Sequence, residues 1–184
     1  GLQRLEYRGY DSAGLATLES DNEILRNRQI GKVANLVAEV ANLDLNGTIG
    51  IAHTRWATHG SVLVENTHPH MSGDNLALVH NGIIENNQEL KAQLQEIGYQ
   101  FLSDTDSEVI VHLVDSHLEE GISLVEAVRK SVKRLDGAYA IAVISTDFPN
   151  RIVAARSGCP LVIGKGIGEN FVASDVLALQ AVTD

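Results

Sequence analysis

Thr48-Ile49-Gly50-Ile51-Ala52 runs straight into His53-Thr54-Arg55-Trp56-Ala57-Thr58-His59-Gly60. The first five residues are apolar and β-prone, which predicts a buried strand. The next eight hold one Arg, the chain's single Trp, two Thr and two His, and they close on Gly. A strand end crowded with polar groups is where a scaffold places binding and catalytic side chains. Arg55 carries a planar fork of donors matched to a carboxylate. Thr58 and His59 add short hydrogen-bonding groups, and Gly60 permits a hinge or a positive φ. The plainer alternative is a strand leading into a surface loop, with Trp56 anchored in the core. Composition alone does not decide between the two.

Further along, Leu76-Ala77-Leu78-Val79 is another apolar strand, and it leads into His80-Asn81-Gly82-Ile83-Ile84-Glu85-Asn86. Asn81-Gly82 is a turn dipeptide. It also sets a side-chain amide beside a backbone N–H, the two donors of an oxyanion hole. As a bare dipeptide it reads more readily as a plain hairpin turn.

The remaining chain is read outward from these two strands. Gly1 to Leu5 resembles the tail of a helix, and Arg8-Gly9-Tyr10-Asp11-Ser12 a turn. Gly14 to Leu18 and Glu23 to Ile30 are expected as strands around a Ser20-Asp21-Asn22 hairpin loop. Val33, Leu36, Val37, Val40 and Leu43 follow helical spacing. The key strands fall near residues 48–54 and 75–80, separated by a polar loop with His68-Pro69-His70. Three helices are marked by Leu90, Leu94 and Ile97, by Ile110, Leu113, Val114 and Leu118, and by Leu124, Val125, Val128, Val132 and Leu135. Arg129, Lys130, Lys133 and Arg134 form a basic, solvated face on the third. Gly137 to Ser145, Arg151 to Arg156, Leu161 to Gly164 and Phe171 to Ala173 complete the strands. Strands first, helices grouped in the middle and strands again predict an α+β domain with mostly antiparallel sheets.

Composition narrows the class. The 184 residues suffice for one domain with a sizeable core. A net charge of −10 argues against nucleic acid or an anionic membrane as partner. No apolar run approaches the roughly 20 residues of a membrane helix, and no signal-peptide pattern opens the chain. One cysteine excludes an internal disulfide framework and fits a reducing, cytoplasmic compartment.

Several unusual strings occur together and in order. Leu5-Glu6-Tyr7-Arg8-Gly9-Tyr10-Asp11-Ser12-Ala13-Gly14, the octet from His53 to Gly60, and His80 to Asn86 are three of them. Ser103-Asp104-Thr105-Asp106-Ser107-Glu108 and Ala155-Arg156-Ser157-Gly158 are two more. This pattern resembles the glutaminase domain of glutamine–fructose-6-phosphate aminotransferase (isomerising), also called glucosamine-6-phosphate synthase, over essentially the whole chain. Purine-pathway amidotransferases share the general layout.

The resemblance implies a four-layer αββα sandwich of two mostly antiparallel sheets, the N-terminal-nucleophile hydrolase type. Residues 1–184 would be that glutaminase domain truncated at both ends, with an N-terminal strand and helix missing and the sugar-phosphate isomerase domain absent. The family's reaction is glutamine hydrolysis by an N-terminal cysteine whose own α-amino group is the base. That cysteine would lie one strand and one helix upstream of Gly1, about 17 residues by average element lengths. Cys159, which has no activating motif beside it, is expected to be a buried structural thiol.

Carried over residue by residue, Arg55 would grip the α-carboxylate of L-glutamine. Trp56, Thr58 and His59 would line a loop that closes over it. Asn81 and Gly82 would hold the tetrahedral oxyanion. Asp106 would accept from the α-ammonium, although an Asp opening a helix also reads as a capping residue. Arg8 would order the nucleophile region or form a structural salt bridge. His53 and His80 would be supporting hydrogen-bonding groups. His68-x-His70 lacks a third ligand at suitable spacing for a metal, and Gly164, Gly166 and Gly168 lack the Lys-Ser/Thr ending of a phosphate loop. No cofactor is implied. Ammonia would pass to fructose 6-phosphate through the absent domain, and a homodimer is implied for the full protein. Two alternatives stay open: a glutaminase domain serving phosphoribosyl pyrophosphate, and a non-catalytic glutamine-binding module.

Overall fold

A computed structural model describes residues 1–56, 61–180 and 182. It opens with a 3-10 helix, Leu2–Arg8, so Arg8 belongs to the helical segment and not to the turn expected there. Strands β1 (Ser12–Leu18) and β2 (Ile24–Ile30) form the expected hairpin, and helix α1 (Val33–Val40) follows. Next come β3 (Ile49–Arg55), β4 (His70–Ser72) and β5 (Leu76–Ile84). Helices α2 (Asn87–Glu96), α3 (Asp106–Leu118) and α4 (Leu124–Val132) are grouped in the middle. Strands β6 (Gly137–Ser145), β7 (Val153–Ser157), β8 (Val162–Lys165) and β9 (Asn170–Ala173) complete the set.

The strands make sheets of order β2-β1-β3, β4-β5-β6-β7 and β8-β9. All strand pairings among them are antiparallel. Four layers result. Helix α1 packs on the outside of the three-stranded sheet through Ala13, Val33 and Leu36. The inner faces of the two larger sheets meet through Ala16, Ile51, Ala77, Ala142 and Ile144. The other face of the four-stranded sheet is covered by α2, α3 and α4, where Leu76, Leu78, Ile110, Leu113, Leu124 and Ile141 lie fully buried or nearly so. This is the αββα sandwich.

Period-two alternation sorts the two key strands. On β5, Leu76 and Leu78 face the helices, while Ala77 and Val79 face the other sheet. On β3, Ile49 and Ile51 face the same inter-sheet space. By the same parity, His53 and Arg55 continue that face to its open end.

Four further expectations need correction. Asn81-Gly82 is not a turn: β5 runs through both, pairing Asn81 with Ala140 and Gly82 with Tyr139. Tertiary pairing with the nine-residue β6 overrides the turn propensity of the dipeptide. Gly82 is required there for a different reason. Its φ is +132°, and a Cβ would lie 1.9 Å from the Ala138 carbonyl oxygen. The loop expected around His68-Pro69-His70 holds a short strand, β4, because His70 pairs with Leu78. Cys159 is half-buried, not buried, because it follows the exposed end of an edge strand. Ile97 lies beyond α2 and is 66% exposed, since the helix ends one residue before it.

Candidate active site

A cavity of about 500 Å³ opens between the end of β3, the second half of β5 and the β8–β9 hairpin. Arg55, Trp56, Asn81, Gly82 and Asp106 all line it, so three stretches far apart in sequence converge. Thr58 and His59 lie outside the described residues.

Arg55 is 5% exposed, and it donates to the Ser61 carbonyl at 3.3 Å. Burial lowers its guanidinium pKa, while the carboxylates of Asp11 and Asp106 pull it back up. The cleft therefore carries a cation on β3 and an anion at the start of α3, the charge pair that a free amino acid's carboxylate and ammonium would match. Asn66 also donates to the Ser61 carbonyl at 3.0 Å and accepts from the Asp104 N–H at 2.9 Å. That residue ties the end of the β3 loop to the start of α3.

Trp56 is 53% exposed and packs edge-on against Tyr10, with ring centroids 5.2 Å apart. The core-anchor alternative is thereby excluded. Asp106 is not the N-cap of α3; Thr105 is. The Asp106 carboxylate instead accepts from the Ile84 N–H at 2.7 Å, fixing the end of β5 to α3. Arg8 donates to the Ser174 hydroxyl at 3.3 Å and lies 3.9 Å from Asp175, the salt-bridge alternative. Tyr7 donates to the same Asp175 at 2.6 Å.

Behind the cleft lies a polar seam. His53 Nε2 is 2.8 Å from Asn81 Oδ1. On the opposite face of β5, His80 Nδ1 and His68 Nε2 both meet the Ser107 hydroxyl at 2.9 Å. His70 Nε2 meets the Thr105 hydroxyl at 3.1 Å. The His53 and His68 rings stack at 4.1 Å, and those of His68 and His70 meet edge-on at 4.8 Å. Burial holds His53 at about 4, His80 at about 4 and His70 at about 3, and pushes His68 well below the ordinary range. These rings are neutral at pH 7. His53 as a residue is only partly buried, yet its Nδ1 is screened from solvent.

Arg28 on β2 donates to the Thr67 carbonyl at 3.0 Å and the Glu65 carbonyl at 3.2 Å, and Arg26 donates to the Pro69 carbonyl at 3.3 Å. Burial depresses Arg28 to about 10. Ser107, Thr105, Arg26 and Arg28 hold the site's frame, and sequence reasoning did not assign them roles. No local signal could have found them, because their partners lie 35 to 43 residues away, and 27 for His80.

Residues 53–181 match the glutamine amidotransferase domain family. The chain belongs to that family. Over its whole length it is 59% identical to the glutamine–fructose-6-phosphate aminotransferase (isomerising) of Pseudomonas putida and 57% identical to that of Pseudomonas aeruginosa. It spans 30% of the length of either relative. Among solved structures, the glutamine phosphoribosylpyrophosphate amidotransferase of B. subtilis superposes over 98% of the chain and 39% of its own, with a TM-score of 0.81 at 28% identity. An allosteric regulatory enzyme of purine biosynthesis superposes with a TM-score of 0.84 at 29% identity, covering 98% of this chain and 40% of its own. For this member of the glutamine amidotransferase family, no described helix is long and apolar enough to cross a membrane.

Proposed function

We propose that this domain hydrolyses L-glutamine, and that within its full-length polypeptide the ammonia aminates fructose 6-phosphate to glucosamine 6-phosphate. The observation that carries the reading is the meeting of Arg55, Asp106, Asn81 and Gly82 around one cleft. The acceptor rests on the 59% identity to the Pseudomonas putida enzyme, against 28–29% to the purine-pathway structures.

In this reading Arg55 takes the α-carboxylate, a charge-assisted pair worth about 1.5–3 kcal/mol. Asp106 takes the α-ammonium. Trp56 borders the substrate, and Thr58 and His59 are assigned to glutamine binding with it from the sequence string alone. The nucleophile is the cysteine thiol expected upstream of Gly1, with its own α-amino group as base. It attacks the carboxamide carbon, and the oxyanion is received by the Asn81 side-chain N–H and the Gly82 backbone N–H. Ammonia leaves, and water then releases glutamate from the thioester. β3 is an outer strand of its sheet, and its unpaired edge is the seat in this reading for an upstream strand carrying that cysteine. The full protein is a homodimer in this reading, and the truncation at both ends belongs to it as well.

The test is glutamine hydrolysis by the full-length polypeptide. Arg55→Ala should lower kcat/KM for glutamine at least tenfold, and Asn81→Ala should lower kcat by about 10²–10³. An unchanged kcat/KM in Arg55→Ala removes Arg55 from the carboxylate role. Turnover with phosphoribosyl pyrophosphate and none with fructose 6-phosphate overturns the acceptor. Glutamine binding without hydrolysis in a chain that has its natural N-terminus overturns catalysis altogether.

A further inference from the structure

His53 touches a proposed oxyanion donor, yet the reaction as written gives it no task. It stands on β3 and Asn81 on β5, strands of different sheets. The sheets approach closely because Ala16, Ala77 and Ala142 fill much of the space between them. At the open end of that interface His53 Nε2 reaches Asn81 Oδ1 at 2.8 Å. A side-chain amide oxygen only accepts, so in this arrangement the imidazole donates to it from Nε2. The amide is planar. Holding Oδ1 against His53 turns the –NH2 group away from His53 and leaves it free for a ligand in the cleft that Asn81 lines. The opposite rotation would offer a carbonyl oxygen to a developing oxyanion, which repels it.

Neighbouring contacts leave the strand little freedom to compensate. Ser107 holds the His80 ring from the helix side at 2.9 Å, and Asp106 holds the Ile84 N–H at 2.7 Å. The side-chain torsion of Asn81 is left to set, and among the described residues His53 holds its amide.

We propose that His53 is a positioning residue that fixes the rotation of the Asn81 amide, so that its N–H bonds and not its oxygen face the reacting carboxamide. The inference rests on the oxyanion role given to Asn81 above. His53 itself exchanges no proton with substrate.

The experiment compares His53→Gln with His53→Asn in the full-length polypeptide, assayed by glutamate release. Both variants carry a primary amide. Gln places its nitrogen near the Nε2 position, whereas Asn places it near Nδ1, short of Asn81. The expected result is a loss of kcat of at least tenfold in His53→Asn, with KM for glutamine within about threefold of the parent. The loss is bounded by the 10²–10³ of removing one oxyanion donor. His53→Gln should recover most of the rate. Added to Asn81→Ala, His53→Asn should slow the enzyme less than twofold further, because it acts through the group already removed. Equal rates in His53→Gln and His53→Asn overturn the proposal, as do multiplying losses in the double variant while Asn81→Ala alone is slow. If Asn81→Ala alone leaves kcat unaltered, the oxyanion reading itself falls and takes this inference with it. Should His53→Asn fail to fold, nitrogen-15 NMR of the parent imidazole decides the same point. A ring protonated on Nε2 supports the proposal, and one protonated only on Nδ1 overturns it.

Discussion

The two faces of the four-stranded sheet are built differently. The helix side is filled by large aliphatic side chains such as Leu76, Leu78, Ile110 and Leu113, each fully buried. The sheet side is filled by Ala77, Ala142 and Ala16, with Ile51 and Ile144 between them. Large residues give the helix side most of the apolar burial and so most of the stabilisation. Small residues let the two sheets approach, and that closeness lets His53 reach Asn81. At Gly14 on β1 the approach is such that a Cβ would lie 2.1 Å from the His68 carbonyl oxygen. One face supplies rigidity, and the other supplies a crevice that widens into the cleft. Strand β5 belongs to both, which is why a reacting group placed on it can be held firmly and still be reached by a ligand.

The contrast breaks most severely at Gly82, where β5 meets β6 at the cleft. Gly82→Ala should destabilise by about 3 kcal/mol or more, because a side chain at φ +132° would also strike the Ala138 carbonyl. Urea denaturation measures it; an unshifted midpoint would show that the strand is not pinned there.

Adjacent truncations on β5 compare the faces directly. Leu78→Ala, on the helix side and fully buried, should cost about 2–5 kcal/mol. Val79→Ala, half-buried toward the other sheet, should cost well under half of that. Equal losses would mean that the two faces are packed alike.

Acid tests the polar seam that threads both faces. His53, His70 and His80 sit near 4, 3 and 4 in the folded protein, below the ordinary 6.5, because burial disfavours the charged ring. The unfolded chain therefore binds protons first as pH falls. Stability from these rings is complete above about 6.5 and declines as pH drops toward 4, on the order of 1.4 kcal/mol per pH unit for each ring. Glu108 is held at about 2, against the opposing cost of its burial, by the nearby His112 ring at 3.6 Å and by hydrogen bonds from the Leu102 N–H and from the N–H and hydroxyl of Ser103, and it extends the decline from about 4.5 to 2. Denaturation midpoints at pH 7, 5.5 and 4.5 should fall in that order. A flat profile would mean that the rings are solvated or already charged.

The smallest effect is expected far from either face. Arg129 on α4 pairs with Glu126 at 2.8 Å, with its side chain 61% exposed. Arg129→Ala should change stability by under about 0.5 kcal/mol in the same assay.

Local pattern carried much of the fold. Helical spacing located α1 through α4, and β6 was read to the residue, from Gly137 to Ser145. Periodicity works there because an amphipathic face must meet the core wherever the element packs. Asn81-Gly82 failed for the same kind of reason in reverse: a turn preference of two residues is weak beside a nine-residue strand pairing. Arg55, Asn81 and Gly82 were legible as candidates from their own chemistry, Trp56 and Asp106 through the family resemblance, and the structure brings all of them to one cleft.

By itself, then, the sequence determined the elements, the α+β class and the short list of polar residues, since each depends on neighbours within a few positions. Only the tertiary structure decided which of these meet. It moved Asp106 from a capping alternative to a tie on Ile84, and it turned His68 and His70 from residues of a polar loop into neutral members of a buried seam. It also set His53 against Asn81 across two sheets. Those relations span 22 to 39 residues and exist only because layers pack, so no local pattern can encode them.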